Sequence, residues 1–290
     1  MRKEIRGFVS IVVMALVAYC PTTWAQTTTY AFTAGTIEDE AIYSRLETEG
    51  RKLIDSQQIV SMQQLGSQLS RTECKAKLVK PSRKVLADAA IYSRCKKAVL
   101  VVGTLYKCSH CPNDHLRAAT GFVIDESGLA VTSYHIFRGQ ATDENTDITV
   151  VVMDTEGNVY PITEVLAANL QDDVAIFKIN TQGKKLYALP LGDMPQPGDD
   201  VNIIAHPHNM YYSFTTGSVS RLYKRDGGDK ISVTADFSQG SSGGPVLDNK
   251  GNVIGIVSAT RSLYNTAQHL QMVSREAIPV KAIRTLLTSK

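Results

Sequence analysis

Three short segments of the sequence carry the residue types that nucleophilic catalysis requires. His135 follows the apolar run in AVTSYHIF, Asp172 and Asp173 precede the run VAIFKI, and Ser242 lies within GSSGGP. A serine hydroxyl becomes reactive when an imidazole takes its proton and a carboxylate orients that imidazole. A lone histidine or a turn aspartate is usually structural, but the three together predict a catalytic His–Asp–Ser site.

The glycines around Ser242 indicate how such a site would stabilise negative charge. Attack on a carbonyl group creates an oxyanion, which needs converging N–H donors. Gly240, two residues before the serine, lets the backbone turn so that its own N–H and that of Ser242 point the same way. We therefore interpret this loop as an oxyanion hole around Ser242.

The elements that must position these residues are mainly β-strands. From Ala98 onward, short runs rich in Val, Ile, Thr and Tyr are separated by turns such as DESG, DTEGN and DNKGN. Short strands at regular spacing with no helices between them predict a sandwich or barrels. Only the last segment, SREAIPVKAIRTLLTSK, returns to helical spacing, with Val280, Ile283 and either Leu286 or Leu287 on one face.

Residues 26–97 have a different pattern and predict a helical extension. Apolar residues recur at helical spacings between Ile42 and Leu69, with expected interruptions near Gly50 and Gly66. The stretch SRKVLADAAIYSRC predicts a further helix. We interpret the extension as a packing element, and a partner-binding or inhibitory role is the alternative.

Residues 1–25 follow the plan of a secretory signal peptide. A basic start is followed by an apolar run over residues 7–20, and the small residues Thr23 and Ala25 precede a possible cut before Gln26. We therefore expect a periplasmic or secreted protein with no stable membrane insertion after cleavage. An uncleaved anchor is the alternative, although the run is shorter than the ~20 residues of a membrane span.

The cysteine content favours disulfides. Four cysteines follow the predicted signal peptide: Cys74, Cys95, Cys108 and Cys111. An even number in an exported protein suggests pairing, most simply Cys74–Cys95 and Cys108–Cys111, although three connectivities are possible. The stretch CSHCPNDH also has the density of a zinc site or a redox motif. The disulfide is our expectation there, and no metal is predicted.

The net charge of the chain indicates which classes of binding partner to expect. The net charge of +3 argues against a dedicated nucleic-acid-binding protein. The histidines of IIAHPHNMYY, His206 and His208, are expected to be structural. The oligomeric state is left open.

The combined motifs resemble the trypsin-like (chymotrypsin-fold) serine peptidases, and most closely the protease domain of the bacterial HtrA/Deg group. ATGFVIDESGLAVTSYHIF is similar to the group's catalytic-histidine segment, DVAIFKI to the strand after its catalytic acid, and GSSGGPVLDNKGNVIGIVS to its nucleophile hairpin. TTGSVSRL and REAIPVKAIRTLL resemble a later strand and the closing helix. The likeness runs from about Ala98 to the C-terminus, and we expect no PDZ-like module.

The resemblance implies a mainly β fold in which residues 98–290 form two antiparallel six-stranded β-barrels. It places His135 and Asp173 in the first barrel and Ser242 in the second, and it selects Asp173 rather than Asp172 as the acid. It implies an endopeptidase that forms an acyl-enzyme on Ser242 and needs no metal or organic cofactor.

The resemblance also assigns residues to substrate binding. The oxyanion would be held by Gly240 and Ser242, helped by Ser241. The polypeptide substrate would pair with the strand GIVSA, here represented by Gly255, Ile256, Val257 and Ser258. Asp236 lies six residues before Ser242 and is a candidate for the floor of a pocket for Arg or Lys. Bonding to local backbone N–H groups is the alternative for this aspartate.

Two other functions remain open from sequence. The same fold could act as a catalytically silent peptide-binding scaffold. Alternatively, the Cys-x-x-Cys stretch could carry a thiol or zinc function, with the β region only structural.

Overall fold

The computed structural model of the chain describes residues 32–33, 36–111, 114–142 and 144–288. The predicted signal peptide therefore lies outside the described residues. Within them the fold is mainly β and contains two closed antiparallel barrels of six strands each, as predicted. A short hairpin precedes the barrels and consists of β1 Phe32–Thr33 and β2 Thr36–Ile37.

Strands β3 to β8 form the first barrel, in the order β3-β4-β5-β8-β7-β6. Their bounds are β3 Val99–Cys108, β4 Asp114–Asp125, β5 Leu129–Thr132, β6 Asn145–Met153, β7 Val159–Asn169 and β8 Val174–Ile179. The first seven residues of β3 are all buried. Alternate side chains fill the barrel, and those between them are covered by helices and by the second barrel, so the sequence reads as a continuous apolar run.

Strands β9 to β14 form the second barrel, in the order β10-β11-β14-β13-β12-β9. Their bounds are β9 Asp200–Ala205, β10 Ser213–Arg225, β11 Gly228–Val233, β12 Pro245–Leu247, β13 Val253–Tyr264 and β14 Leu270–Pro279. Val201, Ile203 and Ala205 of β9 face the interior of this barrel, whereas Ile204 joins the larger core shared with the first barrel. The alternation of side chains along each strand therefore joins the two barrels.

Two helices of the predicted extension, α1 Asp39–Asp55 and α2 Met62–Ser67, pack against the first barrel, whereas α3 Asp88–Cys95 contacts β9 and β10 of the second barrel. Their buried residues, such as Leu46, Leu65 and Ile91, belong to the same apolar core as the barrel strands. The helices of residues 26–97 thus pack on both barrels.

The predicted interruption of the first helix near Gly50 is wrong, because α1 continues to Asp55. Gly50 is buried, and a Cβ atom there would lie 2.7 Å from Leu105 Cδ1. The glycine permits close contact between helix and strand, and this packing offsets its cost of about 1 kcal/mol in a helix interior. α2 ends at Ser67, next to the interruption predicted near Gly66.

The C-terminal helix is shorter than the pattern predicts. α4 covers only Lys281–Thr285, and the preceding segment to Pro279 pairs as strand β14. The predicted apolar face is nevertheless buried, at Val280, Ile283 and Leu286. Among the described residues, no helix combines the length and apolar character needed to cross a membrane.

Candidate active site

The pairing of β5 with β8 brings His135 and Asp173 together. Thr132, at the end of β5, lies opposite Ala175, near the start of β8. Because the strands are antiparallel, the residues after Thr132 and those before Ala175 emerge at the same end of the barrel. His135 lies in a short 3₁₀ turn after β5, and Asp173 immediately precedes β8.

Asp173 holds His135 through both backbone and side chain. The Asp173 carboxylate lies 2.9 Å (Oδ2) and 3.1 Å (Oδ1) from His135 Nδ1, and Oδ1 accepts the backbone N–H of His135 at 3.0 Å. The Asp173 carbonyl accepts the N–H of Tyr134 at 3.1 Å. With Nδ1 facing the carboxylate, Nε2 is left to exchange a proton with a substrate or nucleophile. Asp172 takes no part, and its N–H donates to Asn169 Oδ1.

Thr120 of β4 connects the loop of Ser242 to the first barrel. Its backbone N–H donates to the Ser242 carbonyl at 3.1 Å, and its hydroxyl donates to the Gly240 carbonyl at 2.8 Å. The same hydroxyl accepts the backbone N–H of His206 at 3.1 Å. Thr120 is fully buried, so these bonds fix the loop across the junction between the barrels.

Gly240 and Ser242 both line the cleft, and each carries a backbone N–H group that could bind an oxyanion. The Gln239 carbonyl accepts the N–H of His208 at 2.8 Å, which turns the N–H of Gly240, on the same trans peptide, in the opposite direction. Gly240 has a φ of 95°, a conformation that glycine adopts without strain. Within the described part of the chain, no group accepts the N–H of Gly240 or of Ser242. Both N–H groups are therefore free to bind an oxyanion.

His135, Gly240 and Ser242 line one cavity of about 200 Å³ at the junction of the barrels. Arg117 and Asp147 form its far wall and are joined by an ion pair. The His135 side chain is 48% exposed and is therefore accessible from solvent. No hydrogen bond joins His135 to Ser242 among the described residues, and catalytic hydrogen bonds are often long until a substrate is bound.

Ser241 was expected to help bind the oxyanion, but its N–H group is not available for that role. Its N–H already donates to the Ser238 carbonyl at 3.0 Å. Its side chain is fully buried, and its Oγ faces the backbone N–H of Ser238. The tight turn that presents Gly240 and Ser242 directs Ser241 inward, so it stabilises the loop.

The predicted substrate-pairing strand begins too early. Gly255 and Ile256 pair with β12 on one edge of β13 and with β14 on the other. Val257 also exchanges backbone hydrogen bonds with Gly243 and Gly244. Ser258 lies at a bulge without a strand partner opposite, and after it only β14 pairs with β13. The open edge of this strand thus begins at Ser258.

Asp236 is not at the floor of a pocket. Its side chain is 74% exposed, and Oδ1 lies 2.5 Å from Arg275 Nη2. Its backbone carbonyl accepts the hydroxyl of Thr215. The carboxylate is neutralised at the surface by a cation of the same chain, so it does not prepare a site for basic side chains.

Neither of the two expected disulfides is formed in the structure. Cys95 is buried at the end of α3 beside the Gly251 carbonyl, while the backbone of Cys74 pairs with Leu287. Burial raises the pKa of each of these two thiols to about 11, which keeps them protonated and unreactive. The Sγ atoms of Cys108 and Cys111 lie 3.2 Å apart, beyond the ~2.05 Å of a disulfide bond.

His206 is structural, as the sequence predicts, but its position next to the active site was not foreseen. Its Nδ1 accepts the N–H of Tyr212 at 3.0 Å, so Nε2 carries the proton and donates to the Leu100 carbonyl at 3.1 Å. Complete burial lowers the pKa of His206 to about 3, which keeps it neutral. Thr120 was overlooked too, because its partners are distant in sequence.

Comparison with known proteins agrees with this geometry. A family profile described as "Trypsin-like peptidase domain" matches residues 119–256. "Protease Do-like 5, chloroplastic" of Arabidopsis thaliana is 31% identical over 153 residues, which cover 49% of this chain and 47% of the relative. "Probable periplasmic serine endoprotease DegP-like" of Brucella suis is 32% identical over 146 residues, 48% of this chain and 27% of the relative. The chain thus spans less than half the length of these curated relatives.

Solved structures share the fold. "HtrA-type protease AlgW with decapeptide" superposes with a TM-score of 0.55 at 22% identity, over 69% of this chain and 66% of the other. "Crystal structure of Deg5" superposes with a TM-score of 0.52 at 24% identity, over 68% of this chain and 90% of the other. Residues 119–256 are thus similar to a trypsin-like peptidase domain, and the chain shares its fold with HtrA and Deg proteases of known structure.

Proposed function

We propose that this protein is an exported serine endopeptidase that cleaves polypeptides through an acyl-enzyme on Ser242. One observation carries the proposal. The imidazole of His135, oriented by Asp173, lines the same cavity as Ser242 and Gly240, where two backbone N–H groups are free to bind an oxyanion.

The proposed reaction follows from these positions. Ser242 Oγ attacks the peptide carbonyl carbon as His135 Nε2 takes the hydroxyl proton, and the Asp173 carboxylate stabilises the resulting imidazolium. The N–H groups of Gly240 and Ser242 bind the oxyanion. The intermediate collapses with cleavage of the C–N bond, and His135 gives its proton to the leaving amine. Water then attacks the ester with His135 again as base, which releases the acid and restores Ser242.

An extended polypeptide fits this site best. The unpaired edge of β13 begins at Ser258, the residue directly after Val257, whose carbonyl accepts the N–H of Gly243. A substrate strand can therefore add to this edge while its carbonyl reaches Ser242. The HtrA-type relative solved with a decapeptide supports a peptide ligand for this fold.

Export is supported by the leader pattern of residues 1–25 and by the relative from Brucella suis that is described as periplasmic. We propose that the folded chain works outside the cytoplasm after the leader is removed.

Hydrolysis of a quenched-fluorescent peptide library tests the proposal. We expect the wild-type protein to cleave and Ser242→Ala to be inactive, with a loss of at least about a thousandfold in kcat. Ser241→Ala is the matched control, since it removes the neighbouring hydroxyl from a buried position outside the cavity. Full turnover in a folded Ser242→Ala variant would contradict the proposal. A folded wild type that binds peptides without cleaving them would favour the silent scaffold.

A further inference from the structure

Two thiols and an imidazole converge at the connection between β3 and β4, apart from the catalytic residues. Cys108 Sγ lies 3.2 Å from Cys111 Sγ and 3.1 Å from His115 Nε2, and Cys111 Sγ lies 2.9 Å from the same nitrogen. The three donor atoms thus form one compact triangle. The proposed peptidase chemistry uses none of these side chains.

The strand ladder fixes two of the three donors before any ligand binds. Cys108 is the last residue of β3, and His115 is the second residue of β4, directly opposite Tyr106. Cys108 is also paired with Asn145 on the other side of β3. The turn after Cys108 is tied to the start of β6, since the N–H of Ser109 donates to the Glu144 carbonyl at 2.8 Å. The backbone therefore holds these ligands in place at little cost on binding.

We propose that Cys108, Cys111 and His115 form a zinc site, with solvent in the fourth position. Two thiolates and one imidazole are ligands that Zn²⁺ prefers over the hard cations Mg²⁺ and Ca²⁺. Two thiolates also balance the double charge of the ion. Binding releases one proton from each thiol to solvent, and no oxidant or reductant is needed.

The triangle fits a tetrahedral ion after a small movement. With Zn–S near 2.3 Å and Zn–N near 2.0 Å, a tetrahedral ion places two sulfur atoms about 3.8 Å apart and a sulfur and a nitrogen atom about 3.5 Å apart. The observed separations, 3.2 Å for S···S and 3.1 and 2.9 Å for S···N, are each about half an ångström short of these values. Rotation of the half-buried cysteine side chains supplies that expansion. A disulfide would instead need the two sulfur atoms to approach to ~2.05 Å.

The site is connected to the wall of the active-site cavity. The His115 ring packs against Tyr106 with centroids 5.4 Å apart, and the Arg117 guanidinium lies 4.4 Å from the same tyrosine ring. Arg117 and its partner Asp147 line the cavity that contains Ser242. Zinc would thus anchor the hairpin from which this wall extends.

Titration of the reduced, full-length folded protein with Co²⁺, followed by displacement with Zn²⁺, tests the proposal. We expect one ion per chain, with the intense d–d absorption of a tetrahedral site and a thiolate charge-transfer band. Cys108→Ser, Cys111→Ser and His115→Gln should each weaken binding by at least about a hundredfold. Bound Zn²⁺ should also protect Cys108 and Cys111 from alkylation, a readout that does not depend on peptidase activity.

Cys74→Ser and His110→Gln are the matched controls, because Cys74 lies in the extension 26–97 beside Leu287 and His110 is an exposed residue of the same connection outside the triangle. Both should bind like the wild type, and circular dichroism would verify that every variant is folded. A reduced wild type that gives no tetrahedral Co²⁺ spectrum would overturn the proposal. Loss of binding in His110→Gln with retention in His115→Gln would overturn the ligand set.

Discussion

Replacing Thr120 by Val should impair catalysis without touching the triad. Valine has nearly the shape of threonine but lacks the hydroxyl that donates to the Gly240 carbonyl and accepts the N–H of His206. Both partners then lose a hydrogen bond at the point where the loop of Ser242 meets the first barrel. The backbone bond from Thr120 to the Ser242 carbonyl remains.

The magnitude follows from these two bonds. A buried polar group without a partner costs about 1–3 kcal/mol, and the N–H of His206 is fully buried whereas Gly240 is only half-buried. We expect a loss of about 2–4 kcal/mol in the free energy of unfolding. Loss of a whole oxyanion donor lowers kcat about 10²- to 10³-fold. Because His208 still holds the preceding peptide, kcat of Thr120→Val should fall about 10- to 100-fold, with KM nearly unchanged.

Steady-state hydrolysis of a peptide substrate and urea unfolding measure the two effects. Thr120→Ser is the control, since it keeps the hydroxyl and removes only the methyl group that packs against Gly244. Its kcat should stay within about threefold of wild type, at a cost of about 1 kcal/mol in stability. Wild-type kcat in Thr120→Val, or equal losses in both variants, would refute the role of this hydroxyl.

Three further predictions concern stability and specificity. Because burial lowers the pKa of His206 to about 3, unfolding takes up a proton below pH ~6.5, so the free energy of unfolding should fall with decreasing pH by up to about 1.4 kcal/mol per unit. His206→Gln should reduce that slope in urea unfolding at several pH values, and an identical slope would contradict the assignment. Gly243→Ala should cost about 3 kcal/mol or more, because φ is 83° and a Cβ would collide with Thr132 and the Thr120 carbonyl. Gly198→Ala, at φ 96° in open space, should cost only about 1–2 kcal/mol, and equal costs would refute the steric argument. Asp236→Ala should change the free energy of unfolding by less than about 1 kcal/mol and leave any cleavage preference unaltered, and a lost preference for Arg or Lys in a peptide-library digest would contradict its surface role.

Local patterns in the sequence predicted the strands and the candidate residues His135, Asp172 and Asp173, and the resemblance to the HtrA/Deg group selected Asp173 as the acid. Alternation and turn residues reveal strands because each depends on a few neighbouring side chains. His135 and Asp173 meet in the structure because each is adjacent to a strand end and the two strands pair directly.

The features that were missed depend on contacts between distant segments. A glycine such as Gly50 usually indicates a break in a helix, but here its role is set by tertiary packing against Leu105. Thr120 and Ser242 are far apart in the chain, and only closure of both barrels makes them neighbours. The position of the open edge of β13 likewise depends on where β12 ends, which a strand pattern does not specify.

The catalytic claim is tested most directly by mapping the site of fluorophosphonate labelling. We predict a single covalent adduct on Ser242 in the wild-type protein, and labelling slowed by at least about a thousandfold in His135→Ala and Asp173→Asn. Peptide mapping by mass spectrometry identifies the modified residue, and intact mass gives the rate. A folded wild type that takes up no label, or an adduct on another residue, would contradict the account. So would a His135→Ala variant that is labelled at the wild-type rate.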